Sequence, residues 1–169
     1  MSIEARDFLN FARSLRGIDK PEIDLRCSAS RAYYGALHRV DETFKEFGLP
    51  VNGRKESSHD RIIGKALHHA KQKKPGKNEA ALIASLLPQV KEVRNAADYK
   101  LGQDFPLAIL DSAMRHVDEV NRLCISVATQ MNNALAKSNP KNDLTIAPAD
   151  SDGPPPEPPP SRPQLKRVQ

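Results

Sequence analysis

Apolar residues recur at three- and four-residue steps along most of this chain, the spacing that places them on one face of an α-helix. The most regular stretch alternates steps of three and four from Leu110 to Met131. No stretch shows the alternation of apolar and polar residues that marks a strand. The pattern predicts helices over 2–15, 24–47, 58–70, 78–102 and 106–131. We therefore expect an all-α fold, an up-and-down bundle of about five helices.

Two prolines refine this pattern. Pro106 suits the first turn of the fifth helix, because amide groups there make no hydrogen bond within the helix and a proline therefore removes none. Pro88 falls inside the fourth helix, where a proline removes one hydrogen bond and crowds the preceding turn. We therefore expect Pro88 to kink the fourth helix or to split off its first turns as a separate segment.

The composition changes after about Asn139. Eight of the fourteen prolines lie between Pro148 and Pro163, in a stretch that offers almost no apolar residue for burial. We therefore predict a folded domain over 1–138 and a disordered Pro-rich tail with polyproline II character over 139–169. The PxxP spacing of this tail suits an aromatic-lined groove on a partner protein, and a solvated spacer is the alternative interpretation.

Charge and cysteine content narrow the class of protein. The chain carries 26 Lys and Arg against 21 Asp and Glu, so a polyanionic partner is permitted without being established. Its two cysteines, Cys27 and Cys124, lie in helical apolar patterns, and we expect both to be buried free thiols in a reducing compartment.

The sequence shows no signal peptide and no apolar span of ~20 residues, which predicts a cytoplasmic protein without membrane contact. No residue cluster suggests a metal site.

One face of the second predicted helix carries polar side chains that suit ligand binding or catalysis. Arg31, Tyr34 and His38 follow one another at steps of three and four, so they share a face beside the apolar stripe. They provide a guanidinium for phosphate, a phenol for stacking or hydrogen bonding, and an imidazole for proton transfer. The same spacing is typical of a helix interface held together by hydrogen bonds, and both interpretations stay open.

A second polar group lies near the end of the fourth predicted helix. Arg94 and Asp98 are four residues apart, so we expect their side chains to form an ion pair across one turn. Arg94 and Tyr99 are five residues apart, which corresponds to a rotation of roughly 140° about an ideal helix axis. We therefore expect these two side chains to converge on one substrate only if the helix is distorted or a second subunit closes the site.

These two motifs resemble those of the HEPN family, the higher eukaryotes and prokaryotes nucleotide-binding domains. HEPN domains are small all-α modules in which a segment like Ser30-Arg31-Ala32-Tyr33-Tyr34 lies in an early long helix. In the ribonuclease members, a later motif begins with an arginine and a polar residue, as in Arg94-Asn95, and ends with a histidine. Tyr99 holds the histidine position, so the chain is most similar to a subgroup with the motif Arg-x-x-Ala-Asp-Tyr. Ser58-His59 resembles the middle segment of that subgroup.

The resemblance implies metal-independent RNA cleavage, in which a 2′-hydroxyl attacks the adjacent phosphate. It assigns Arg94 to the phosphate and Asn95 to its orientation, with Tyr99 and His38 in the same catalytic group. Because a phenol is poorly matched to acid–base chemistry at neutral pH, His38 or His59 would have to replace the family histidine. The residues expected to bind substrate around this cleft are Arg31, Tyr34, His59 and Asp98.

The resemblance also implies partners. HEPN ribonucleases form a cleft between two subunits, and family members are often encoded beside a small nucleotidyltransferase, in toxin–antitoxin or phage-defence systems. We therefore expect RNA and a second copy of the chain as partners, and no cofactor. The alternative hypothesis is a non-catalytic dimeric module that recruits a protein, for example a nucleotidyltransferase, and the tyrosine at position 99 favours it.

Overall fold

The computed structural model describes residues 3–46 and 57–138, and over these ranges it contains five α-helices and no strand. The helices are α1 (Ala5–Ser14), α2 (Glu22–Glu46), α3 (Ser58–Ala70), α4 (Lys77–Tyr99) and α5 (Leu107–Ser138). The predicted all-α bundle is thereby confirmed. The predicted tail over 139–169 and the predicted end of the second helix at residue 47 lie outside the described residues. None of the five helices is long and apolar enough to cross a membrane.

The α4 helix is continuous through Pro88, so the prediction that the proline splits off its first turns is wrong. Ile83 and Leu87 before the proline and Val90 after it are all buried in the core. Because these side chains anchor the helix on both sides of Pro88, tertiary packing outweighs the hydrogen bond that the proline removes.

The first and last helices also differ from their predicted limits. α1 begins at Ala5, because Glu4 and Asp7 cap it reciprocally and the Glu4 amide donates a 2.9 Å hydrogen bond to Asp7 Oδ2. α5 continues past Met131 to Ser138, through polar turns that lie beyond the predicted apolar stripe. Both differences arise where capping or local propensity, rather than burial, sets the end of the helix.

The α2 helix contacts each of the other four helices. Its inward face buries Tyr33, Val40 and Phe44 completely. α5 contributes the stripe predicted from the sequence, in which every member from Leu110 to Val127 is buried. Burial of these apolar side chains is the main stabilising contribution in such a bundle. Side chains on α2 can therefore reach α1, α3 or α4 from a rigid central position.

The α1 helix packs closely on α2 because residue 35 is a glycine. A Cβ atom at Gly35 would lie 2.6 Å from Leu9 Cδ2 and 3.2 Å from the carbonyl oxygen of Ala5. The hydroxyl of Ser28 donates a 2.7 Å hydrogen bond to the carbonyl oxygen of Ala12. Later residues of α1 contact earlier residues of α2, so the two helices form an antiparallel hairpin.

The two cysteines have different environments. Cys124 is buried as predicted, and burial raises the pKa of its thiol to about 11. Cys27 is exposed, so its predicted burial is wrong. Arg26 and Ser28, its neighbours in the chain, take the buried positions at this level of α2. Cys27 consequently lies on the outer side of the helix.

Candidate functional site

Arg94 is the centre of a group of polar side chains from α2 and α4. Its Nη2 donates a 3.0 Å hydrogen bond to the hydroxyl oxygen of Tyr34. Its Nη1 donates to the hydroxyl oxygen of Tyr99 at 3.4 Å and to Asn95 Oδ1 at 3.3 Å. Its Nε lies 2.8 Å from Asp98 Oδ2, which confirms the predicted ion pair. The Nε–H bond does not point at the carboxylate, so this contact is ionic without a hydrogen bond.

Tyr99 and Arg94 meet although α4 is unbroken between them. The guanidinium carbon of Arg94 lies 5.2 Å from the ring centroid of Tyr99 and 5.5 Å from that of Tyr34. Helical side chains lean toward the N-terminus, so the ring of Tyr99 at the end of α4 reaches back to the turn that carries Arg94. The prediction that only a distorted helix or a second subunit brings this pair together is therefore wrong. Both rings make cation–π contacts with the guanidinium.

The surroundings of Arg94 keep its side chain charged. Burial acts to lower the pKa of this guanidinium, but the carboxylate of Asp98 and the hydroxyl of Tyr99 act in the opposite direction, and the net effect raises the pKa. Asp98 also accepts a 3.4 Å hydrogen bond from the hydroxyl of Ser30. Only 14% of the Arg94 side chain is exposed, so this cation is also held in one place.

His59 joins the group from the first turn of α3. Its Nδ1 lies 2.9 Å from the hydroxyl oxygen of Tyr33, a side chain that is completely buried. Its ring packs against the rings of Tyr33 and Tyr34 at centroid distances of 5.5 and 5.7 Å. Tyr34 therefore contacts both His59 and Arg94, and this shared contact brings α3 and α4 to one site.

The contact with Tyr33 fixes the position of the proton on His59. Burial raises the pKa of Tyr33 to about 12, so this phenol keeps its proton at neutral pH. Its hydroxyl has no second hydrogen-bond partner among the described residues, and we therefore assign its O–H as the donor to Nδ1. Burial, followed by the charges of Lys91 and Arg94, lowers the pKa of His59. His59 is then a neutral imidazole that carries its proton on Nε2 and presents a hydrogen-bond donor there.

Lys91 adds a second cation, one turn before Arg94 on the same face of α4. Its Nζ lies 2.7 Å from Asp60 Oδ1, while the hydroxyl of Ser57 donates a 2.7 Å hydrogen bond to the other carboxylate oxygen. The hydrogen bond from Lys91 is the largest of the effects that lower the pKa of Asp60. Sequence reasoning missed Lys91, although its three-residue spacing from Arg94 is the signal that identifies it.

Arg31 and His38 lie on the α1 side of α2, away from these hydrogen bonds. Arg31 is exposed and lines a groove between α1 and α2. The ring of His38 packs on Phe8 of α1 at a centroid distance of 5.3 Å. His38 is still near enough for its charge to contribute to the lowered pKa of His59. The face predicted to carry Arg31, Tyr34 and His38 is thus divided, because α1 meets one side of it and α4 the other.

Arg26 anchors the end of α4, a role that sequence reasoning did not identify. This buried side chain donates hydrogen bonds to the carbonyl oxygens of Ala97, at 2.9 Å, and of Gln103. It also forms a 2.7 Å ion pair with Glu22 and lies over the ring of Phe105 at 5.3 Å. A cation is favourable at the carbonyl end of a helix, so Arg26 fixes the turn from which the polar group projects. Because Arg26 lies within an apolar helical pattern, the sequence did not indicate its contact with α4.

The group around Arg94 combines several chemical functions. It contains a fixed cation, a second cation one turn away, a neutral N–H donor on His59, and the ring of Tyr99, which is 70% exposed. Cations and N–H donors bind phosphate oxygens, and an exposed aromatic ring can stack on a nucleobase. These are the interactions by which proteins hold a single-stranded nucleic acid.

No family model, curated protein or solved structure matches this chain. Within the ranges 3–46 and 57–138, no group of three or more His, Cys, Asp and Glu side chains is placed to hold a metal ion.

Proposed function

We propose that this chain is a HEPN-type, RNA-directed protein in which Arg94 binds a phosphate of the RNA backbone. The observation that supports this proposal is the contact of Tyr34 with both Arg94 and His59, which assembles motif residues from three helices. The exposed ring of Tyr99 beside Arg94 adds a surface for a nucleobase. The proposed setting is the one that the resemblance implies, a cytoplasmic toxin–antitoxin or phage-defence system with a nucleotidyltransferase-type partner.

In the catalytic form of this proposal, a 2′-hydroxyl attacks the adjacent phosphorus and expels the 5′-oxygen of the next nucleotide. The products are a 2′,3′-cyclic phosphate and a 5′-hydroxyl, so one proton leaves the 2′-oxygen and one reaches the 5′-oxygen. Arg94 would stabilise the charge that develops on the phosphoryl oxygens. Asn95, which accepts a hydrogen bond from Arg94, would orient the guanidinium toward them.

Two histidines are available for proton transfer in place of the family histidine. His59 presents Nε2–H and would donate to a phosphoryl oxygen or to the departing 5′-oxygen. His38 is exposed on the neighbouring face of α2 and would accept the proton of the 2′-hydroxyl. Tyr99 would stack on a base rather than transfer a proton.

One observation favours a second candidate, a non-catalytic interaction module. Each nitrogen of the Arg94 guanidinium already contacts a side chain of its own chain. A phosphate must share or displace some of these contacts, and the longest of them, to Tyr99 and Asn95, are the weakest. Under this second candidate, Arg94 ties α2 to α4 and a protein partner binds the surface that results.

The two candidates separate when Arg94→Ala is compared with Arg61→Ala. Arg61 is an exposed arginine of α3 without an ion-pair partner in the described ranges, so both variants lose one positive charge. Binding and cleavage of total tRNA and of a structured mRNA are measured in EDTA, with analysis of the RNA ends. We expect Arg94→Ala to lose RNA binding or cleavage and Arg61→Ala to keep both. Equal RNA behaviour of the two variants, with a lower Tm only for Arg94→Ala, would establish the interaction module instead.

A further inference from the structure

A cavity of about 350 Å³ is lined by side chains of α1, α2 and α5. α1 and α5 both pack on α2, and an ion pair of 2.6 Å between Arg13 and Asp118 joins them to each other. The volume of this cavity is at the lower end of the range for sites that bind small molecules. None of the side chains that contact Arg94 lines it, so it is separate from the site proposed for RNA.

Arg39 is a cation of this cavity that has no close partner within the described ranges. The other two arginines that line the cavity, Arg6 and Arg13, each form an ion pair at 3.0 Å or less. Arg39 Nη1 instead lies 3.7 Å from Glu42 Oε2, which is beyond hydrogen-bond range. Its Nε is buried, and no described group accepts a hydrogen bond from it. A guanidinium with so much unused hydrogen-bonding capacity in a cavity indicates a site for a carboxylate.

Glu42 makes the cavity unsuitable for a simple anion. It follows one turn after Arg39 on α2, lines the same cavity and is exposed. An anion bound to Arg39 alone would lie close to the Glu42 carboxylate and be repelled by it. A ligand that carries an ammonium group beside its carboxylate would instead satisfy both side chains. An α-amino acid has these two groups on one carbon atom, which suits side chains that lie 3.7 Å apart.

Other side chains of the cavity suit the rest of an amino acid. Asn10 and Asn121 provide amide groups that both donate and accept hydrogen bonds. Leu9 and Ile125 provide apolar surface, and Ile125 is 49% exposed although it is a large apolar residue. An apolar ligand side chain that covers this surface gains free energy by removing it from water.

We propose that this cavity binds a free α-amino acid with an apolar side chain. The carboxylate of the amino acid accepts hydrogen bonds from the Arg39 guanidinium, and its ammonium group donates to the Glu42 carboxylate. Its side chain lies against Ile125. The proposal does not depend on RNA binding, because the two sites share no side chain.

Three probes of similar shape test the charge requirement by calorimetry on the full chain. L-leucine carries both charged groups, isocaproate lacks the ammonium group, and isoamylamine lacks the carboxylate. Each analogue loses one charge-assisted contact, so we expect L-leucine to bind about tenfold more tightly than either.

Two variants assign the contacts to side chains. Arg39→Gln should weaken the binding of L-leucine by about tenfold or more, because it removes the cation that holds the carboxylate. Glu42→Gln should also weaken L-leucine, but it should tighten isocaproate, because it removes the repulsion of an anion. Arg61→Gln, at an exposed site of α3, should leave the binding of all three probes unchanged.

NMR of the labelled wild-type chain needs no variant to fold. The Arg39 side-chain Nε–H and the Ile125 methyl resonances should shift and saturate with L-leucine, while the Arg61 side chain stays in place. Three results would overturn the proposal. They are no binding of L-leucine to the folded chain, binding that Arg39→Gln leaves unchanged, and equal binding of L-leucine and isocaproate that ignores Glu42→Gln, which would leave only an anion site.

Discussion

The group around Arg94 and the groove between α1 and α2 are both built on α2, but they differ in how completely one chain satisfies their side chains. Arg94 is largely buried and contacts four polar side chains of its own chain. In the groove, Arg31 is exposed without an ion pair in the described ranges, and Phe11 has only partial cover. The side chains of the first region are satisfied by contacts within one chain, whereas the second region leaves apolar and charged side chains exposed to solvent.

This difference predicts which property of the protein a substitution in each region should change. A buried polar network contributes to stability because each group that loses its partner is left without water to replace it. An exposed apolar surface contributes little to the stability of one chain and much to association. Substitutions near Arg94 should therefore change folding and local chemistry, whereas substitutions of exposed side chains in the groove should change the stability of the chain only slightly.

The largest loss of stability is expected for Arg26→Met. It leaves carbonyl groups at the end of α4 without their donor, at a cost of about 3 kcal/mol, and it also removes the partner of the half-exposed Glu22 carboxylate. Chemical denaturation measures this loss. Arg122→Ala removes an arginine whose ion pair with Glu119 is on the surface, and it should leave the free energy of unfolding unchanged. Equal effects of the two variants would contradict the anchoring role of Arg26.

Two glycine substitutions with opposite expected effects on the free energy of unfolding test the packing of α1 on α2. Gly35→Ala drives a methyl group against Leu9 and should destabilise the chain by about 2 kcal/mol. Gly64→Ala adds the same methyl group on α3, where no atom lies within 4 Å, and should stabilise it by about 0.5–1 kcal/mol. Denaturation curves of both variants give the comparison, and two shifts of the same sign would contradict it.

A smaller cost, about 1 kcal/mol, is expected when Tyr33→Phe removes the hydroxyl that binds His59. The more specific result concerns the proton on His59. Without the Tyr33 hydroxyl, we expect this proton to be no longer restricted to Nε2. Nitrogen chemical shifts of the labelled ring report this change directly. Tyr34→Phe also removes one hydroxyl, but it should leave the His59 tautomer intact, since its hydroxyl binds Arg94.

The lowered pKa of His59 makes stability depend on pH. As the pH falls below the ordinary range of an imidazole, the unfolded chain binds a proton that the folded chain still excludes, so stability falls with pH. The loss ends once the pH is below the lowered pKa of the folded state. His59→Gln removes this contribution, and its stability between neutral and mildly acidic pH should fall less steeply. Identical slopes in denaturation series would show that His59 does not titrate as described.

The smallest effect on folding is expected in the groove. Phe11 is exposed over half of its surface, so Phe11→Ser should change the free energy of unfolding of the separate chain by only about 0.5 kcal/mol. Chemical denaturation measures this small change. A loss of stability as large as that of Arg26→Met would remove the contrast between the two regions.

The sequence predicted those parts of the molecule that periodicity controls. The stripe from Leu110 to Val127 is buried as its spacing indicates, and Arg94 pairs with Asp98 across one turn. Both features involve neighbours on one helix, whose relative positions follow from the geometry of the helix alone.

The parts that the sequence did not predict depend on contacts between helices. Tyr33 meets His59 across α2 and α3, and Arg26 reaches the carbonyl groups at the end of α4. Cys27 was misplaced because its spacing fits the apolar stripe, but Arg26 takes the buried position beside it. A helical pattern fixes the side of a helix only approximately, so it cannot decide between adjacent residues at the edge of a stripe.

The most direct measurement of the central claim is a titration of isotope-labelled protein with a short single-stranded RNA. It follows the Nε–H resonance of the Arg94 side chain and the ring nitrogens of His59, with the Arg61 side chain as an internal control. We expect the Arg94 and His59 resonances to shift together and to saturate, while those of Arg61 stay in place. Unchanged Arg94 and His59 resonances in a folded protein at saturating RNA would contradict the assignment of this site to RNA.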